Sequence, residues 1–206
     1  METNELPLIP TEKNFKLSKV KLNPSGGLQV EYQITTATEG EAFVIDRSES
    51  RNNDIHPDLK ALFESLAPIV GQVFSITAFV SFLSDFPLTG EQRESLDSFV
   101  ETLLQKIEVR GISWSGADDN LGVIITAVYE TANGLKTCIN TPRIKLSQIS
   151  FGFEEELENL VIAIKSEVYK FLFMGKQAQL SLFGETTEGE VATEEEKVLM
   201  EAEGEI

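Results

Sequence analysis

The stretch FKLSKVKLNPSGGLQVEYQITT, residues 15–36, decides the fold. In its second half Leu28, Val30, Tyr32 and Ile34 alternate with Gln29, Glu31, Gln33 and Thr35. Period two is the signature of a strand buried on one face, because successive side chains point to opposite sides of a pleated backbone. The first half, Phe15 to Leu22, carries apolar residues among lysines and reads as its partner strand. Between them Asn23-Pro24 and Gly26-Gly27 supply turn dihedrals, so residues 15–36 form a β-hairpin.

Working outward, EAFVIDRSE (41–49) reads as a third strand. HPDLKALFESLAPIVGQVF (56–74) opens a helix, with Pro57 suited to its first position and Asp58 to the positive end of its dipole. Pro68 should kink or end that helix, because proline lacks an N–H and clashes with the preceding turn. VFSITAFVSFL (73–83) is apolar and β-branched, and is expected to be a buried strand. In TGEQRESLDSFVETLLQKI (89–107), Thr89 and Gln92 have capping-box spacing, and Leu96, Phe99, Val100, Leu103 and Leu104 share a helical face. Three strand-like runs follow: IEVRGISWS (107–115), LGVIITAVYET (121–131) and LKTCINTPRIKL (135–146). The last two meet at Asn133-Gly134, a tight hairpin turn. FEEELENLVIAIKSEVYKFLFMGK (153–176) is a helix with the stripe Leu157, Leu160, Val161, Ile164, Val168 and Phe171. The expected architecture is α+β: an antiparallel sheet of hairpins packed with about three helices over residues 15–176. A flexible arm, 1–14, precedes it. A linear segment, 177–184, and a glutamate-rich tail, 185–206, follow; so polar a tail is expected to be disordered.

The net charge is −17, of which −8 lies in Gly184–Ile206, with nine glutamates and one lysine. The rest is therefore acidic in its own right, which argues against a broad electrostatic grip on nucleic acid. One local exception is Lys13, Lys16, Lys19 and Lys21, with no acid between them. They read either as the wet edge of a strand or as nucleic-acid contacts. Trp114, Tyr32, Tyr129 and Phe15 all fall on expected strands, where aromatics fill a core face or stack on single-stranded bases.

One cysteine, Cys138, and one histidine, His56, leave no disulfide and too few ligands for a Cys/His zinc site. Asp118-Asp119-Asn120 lacks the alternating ligands of a calcium loop and reads as a polar turn. GLKTC (134–138) lacks the first glycine of a phosphate loop and sits on a hairpin. No nucleophile elbow, zinc-protease or dinucleotide pattern is present. The reading is a non-enzyme with no catalytic residue, metal or cofactor. The start, METNELPLIPTEKN, has no basic region followed by an apolar core, and no apolar run approaches the roughly 20 residues needed to span a bilayer, so the expectation is cytoplasmic, without membrane contact.

The segment Gln179-Leu180-Ser181-Leu182-Phe183 resembles the bacterial sliding-clamp-binding peptide at all five positions. That resemblance implies a DNA polymerase sliding clamp as partner. Leu182 and Phe183 would enter a hydrophobic pocket, with Leu180 at its rim and Gln179 hydrogen-bonding beside it. Alternatively, the two leucines and the phenylalanine dock the end of the chain onto its own body. An acidic tail behind a sheet is similar to the arrangement in phage and bacterial single-stranded-DNA-binding proteins, although this chain ends in Glu205-Ile206 and not in an aromatic. HPDLKALF, IEVRGISWSG and FGFEEELENLV give the body a loose similarity to uncharacterised proteins of Bacteroides-type phages and prophages. The resemblances imply an accessory protein of phage or bacterial DNA replication or recombination. Direct binding of single-stranded DNA, or a phage interaction or virion role without DNA, are the alternatives.

Overall fold

The computed structural model describes residues 10–38, 41–75, 87–117, 120–147 and 152–177. The expected hairpin is β1 (Phe15–Leu22) paired antiparallel with β2 (Leu28–Thr38), and β3 (Glu41–Arg51) continues the meander. Gly26, at φ +89°, supplies the left-handed turn residue that an L side chain rarely adopts. Two helical segments follow, α1 (Pro57–Glu64) and α2 (Ala67–Val73). Pro68 stands in the first turn of α2, so the expected break falls where a missing N–H costs nothing. Residues 76–86, which hold most of the expected strand 73–83, lie outside the described residues; Val73 itself closes α2.

Helix α3 (Gly90–Leu104) starts on the complete capping box of Thr89 and Gln92. A second meander comprises β4 (Ile107–Ser115), β5 (Gly122–Glu130), β6 (Lys136–Asn140) and the two-residue β7 (Ile144–Lys145). The run 135–146 is therefore two strands on one neighbour, since β6 and β7 both pair with β5. Pro142 has no N–H to continue the ladder. Thr141, 4% exposed, spans the gap: its N–H donates to the Ile125 carbonyl at 2.9 Å and its hydroxyl oxygen accepts from the Ile125 N–H at 2.9 Å. The chain then forms α4 (Glu154–Phe173).

The sheet order is β3-β2-β1-β4-β5-β6, antiparallel throughout. Two meanders thus lie side by side, each followed by helix. The core fills one face of the sheet. Val20, Leu28, Val30, Ile112, Val123 and Ile125 meet Leu59, Phe63, Leu157, Ile164, Val168 and Phe171, all at most 1% exposed. At one end Phe15, Tyr32, Tyr169 and Phe173 interlock with ring centroids 5.2–5.8 Å apart. The Tyr169 hydroxyl donates to the Pro10 carbonyl at 2.6 Å, so the last residues of the expected flexible arm are tied to α4, with a short turn at Glu12–Asn14. Helix α3 is the exception to the packing. None of its residues is buried, and Phe99 is 48% exposed. No helix among the described residues is long and apolar enough to cross a membrane.

Candidate interaction sites at the central seam and the chain exit

The two meanders meet along only three residue pairs, Lys19↔Ser113, Val20↔Ile112 and Lys21↔Gly111. Both strands are irregular beside this seam, with register shifts between Leu17 and Lys19 and between Val109 and Gly111. Both irregularities lie in the outer ladders, β1 with β2 and β4 with β5, where a bulge adds an unpaired residue and bends its strand. Gly111 sits where the strands press closest: a Cβ there would lie 2.8 Å from the Val20 carbonyl oxygen. A cleft lies at each end of the seam.

The first cleft, of about 370 Å³, opens between Lys16–Ser18 of β1 and Trp114–Gly116 at the end of β4. Glu158, Val161 and Lys165 of α4 form part of its wall. Trp114, partly buried, packs against the core and still lines this opening. Arg143 holds the β4 side: its Nε donates to the Ser115 hydroxyl at 2.8 Å and its Nη2 to the Ser115 carbonyl at 3.1 Å and to the Asn120 carbonyl. The second cleft, of about 540 Å³, lies at the other end of the seam between Leu22, Ile107 and Val109 and the helix residues Phe63, Ala67 and Leu104.

These positions sort the residues singled out from sequence. Strand β1 is interior, between β2 and β4, so its lysines lie on an open sheet face and not along an edge. Lys16 and Trp114 share the first cleft. Lys19 is engaged by Glu31 at 2.8 Å, Lys21 pairs opposite Gln29 and Gly111, and Lys13 belongs to the turn before β1. Phe15 and Tyr32, 1% and 2% exposed, fill the core and have no face left for a base. Lys165 and Glu158 joined the cleft unannounced. They sit seven residues apart on the wet side of an amphipathic helix, a spacing that solvated charges share.

The second place of interest is where the chain leaves the body. Gly175, at φ +71°, follows α4 and turns the backbone out of the helix. Lys176 is then held by two carboxylates, Asp58 Oδ2 at 2.5 Å and Glu167 Oε2 at 2.7 Å, and Lys170 also donates to Glu167 at 2.7 Å. His56 caps α1 from the same corner, its Nδ1 accepting from the Asp58 N–H at 3.3 Å. The hydrogen bond from Lys176 holds the Asp58 carboxyl below its ordinary range. Burial pushes Glu167 up, but hydrogen bonds from Lys170 and Lys176 outweigh it and its pKa ends lowered. Burial pulls Lys176 down, and its two carboxylate partners outweigh that and raise it. Gln177 forms an antiparallel bridge with Ile55, and its Oε1 accepts from Asn53 Nδ2 at 2.7 Å. Gln179, Leu180, Ser181, Leu182 and Phe183 lie outside the described residues, as does the tail beyond.

The sign of the pH dependence of this latch follows directly. Carboxyls with lowered folded pKa values contribute stability above about pH 4, and that contribution fades as pH falls through the folded values. Lys176, raised, contributes fully below about pH 10 and loses its part only above its folded value. The latch is therefore closed at neutral pH and opens in acid. Exposed pairs are screened, so the whole network contributes on the order of 1 kcal/mol. Amide exchange at Ile55 and Gln177 is expected to accelerate as pH falls below about 4, beyond the intrinsic pH effect, and Lys176→Met is expected to abolish that excess.

Among the described residues, no group of three or more His, Cys, Asp or Glu is placed to hold a metal ion. Compared with family models, curated proteins and solved structures, the chain matches none of them.

Proposed function

We propose that this protein is a non-enzymatic accessory factor of phage or bacterial DNA replication or recombination, tethered to a bacterial sliding clamp through Gln179-Leu180-Ser181-Leu182-Phe183. The observation that carries the reading is the five-position match to the clamp-binding peptide, beginning two residues after the last described residue of the body. A chain end beyond a capped and latched helix is a favourable place for a linear motif, because a few apolar anchors can supply most of the affinity without disturbing a core. The body would then be cargo brought to the replication machinery. Titration of the full chain against a purified bacterial sliding clamp tests the reading. Micromolar or tighter binding, competed by a peptide spanning Lys176–Glu185, is expected; absence of binding by both chain and peptide overturns it.

A second reading is favoured by one specific observation, the meeting of Lys16, Lys165 and Trp114 at the seam cleft. A base stacking on the indole with lysines near its phosphates is a recurrent way to hold single strands. Glu158 in the same cleft and the acidic tail oppose it. Trp114 is the only tryptophan, so its fluorescence reports on this cleft alone. On this reading oligo-dT quenches a form lacking residues 184–206 more strongly than the full chain, and the quenching falls steeply with salt. Unchanged fluorescence at low salt removes the reading.

A further inference from the structure

The strand order β3-β2-β1-β4-β5-β6 steps outward from the seam in the same way on both sides, through three antiparallel strands. The correspondence holds residue by residue. Residue i of β1 matches residue i + 92 of β4, and residue j of β2 matches residue j + 95 of β5. Under that shift all seven pairs of β1 with β2, from Phe15↔Ile34 to Leu22↔Leu28, fall on pairs of β4 with β5, from Ile107↔Tyr129 to Trp114↔Val123. The irregularities coincide as well: Ser18 is skipped between Leu17 and Lys19, and Arg110 between Val109 and Gly111. Core positions therefore step by two, three and two residues in both strands, at Phe15, Leu17, Val20 and Leu22 and at Ile107, Val109, Ile112 and Trp114. The ladders of β2 with β3 and β5 with β6 agree too, Glu31↔Ser48 through Thr35↔Val44 matching Thr126↔Asn140 through Glu130↔Lys136. On the core side Leu59, Phe63, Leu66 and Val70 are spaced like Leu157, Val161, Ile164 and Val168, all at most 5% exposed. None of the matched strand positions carries the same residue in both halves.

At the seam itself Lys19 faces Ser113 and Lys21 faces Gly111, with Val20 and Ile112 between them. Gly111 is the counterpart of Lys19 and Ser113 of Lys21, so a half-turn exchanges the two outer pairs. That is the mark of an isologous contact, in which i faces j and j faces i. The clefts obey the same operation. Leu17, Trp114 and Val161 line the first, and their counterparts Val109, Leu22 and Phe63 line the second.

We propose that this chain is two copies of one βββα unit fused in tandem, and that the seam is a pairing surface whose fitting partner is the seam strand of a second such unit. The inference is independent of the clamp reading. Register is set by the backbone ladder and by which face is apolar, so it persists while individual residues diverge. One divergence makes the pairing unlike. In a pair of first units Lys19 would face Lys21 of its mate, and like charges directly opposite are unfavourable. In the fused chain Gly111 and Ser113 face those lysines, which directs the first unit toward the second.

The test makes the two seam strands alike in the full chain. Lys16–Leu22 is replaced by EVRGISW, the matched sequence of Glu108–Trp114, with Phe15 kept for its place among the packed rings. A control carries EVGIRSW, the same residues with the arginine moved from the bulge to the core position of Val20. The grafted chain is expected to melt cooperatively within about 10 °C of the parent, and the control to lose its cooperative transition. Equal loss in both chains, or equal tolerance of both, overturns the equivalence of the strands. A milder variant, Leu22→Trp with Trp114→Leu, carries the single tryptophan across the half-turn. Its emission maximum and acrylamide quenching are expected to match those of Trp114 in the parent. Emission shifted to that of a fully hydrated indole overturns the half-turn relation.

Discussion

On the clamp-binding proposal, replacing Leu182 and Phe183 together by alanine is expected to abolish binding of the full chain to a sliding clamp while the protein keeps its melting temperature within about 2 °C. In linear-motif recognition two or three apolar anchors carry most of the energy, each costing about 2 kcal/mol or more when truncated. Two anchors lost at once weaken binding on the order of 1000-fold, beyond the range of an ordinary titration. Stability is expected to change little, because the core among the described residues is built from the sheet and from α1, α2 and α4, with Phe171 and Leu172 1% and 5% exposed. A double variant that melts well below the parent places these side chains in the core, and the clamp reading fails with it. The affinity and the melting curve therefore have to be measured on one preparation.

The largest effect on stability is expected from Phe15→Ala. Phe15 opens the interior strand β1, is 1% exposed, and touches rings from both layers: Tyr32 at 5.2 Å, Tyr169 at 5.7 Å and Phe173 at 5.7 Å. Truncation removes the transfer energy of the ring and leaves a cavity between sheet and helix, about 3–5 kcal/mol together. For a chain of this size each kcal/mol shifts the midpoint by about 2–4 °C, so a fall of about 10 °C is expected in a thermal melt. Phe99→Ala on α3, where the ring is 48% exposed, serves as the comparison and is expected to move the midpoint far less. Equal shifts for the two variants contradict this assignment of the core.

Much of the fold could be read locally, and the reason shows in particular elements. Strands β1 and β4 match their predicted ranges to the residue, since alternation and Asn-Pro or Gly-Gly punctuation are written into contiguous residues. The break at Pro68 was likewise legible, because a proline acts on its own turn. Pro142 acted in the same way, yet the run 135–146 was read as one strand, and Thr141's pairing with Ile125, sixteen residues away, shows how the two pieces share a neighbour. Of the α4 stripe, Leu157, Val161, Ile164, Val168 and Phe171 are buried, and Leu160 only partly. The apolar stripe of α3 was recognisable too, though among the described residues it stays only partly covered. Periodicity reports which residues form a face, not how completely a neighbour closes over it.

By itself, then, the amino-acid sequence determined most of the element types among the described residues, the two meanders, the absence of known catalytic patterns and the QLSLF match, all properties of neighbours in the chain. Tertiary structure alone decided that β1 pairs with β4, some ninety residues away, through three residues between two irregularities. From that seam follow both clefts and the meeting of Lys16 with Trp114. It also decided that Lys176 and Gln177 are fastened beside Ile55. Such outcomes rest on long-range register and on charges brought together from α1 and α4, and no local periodicity encodes which distant strands become neighbours.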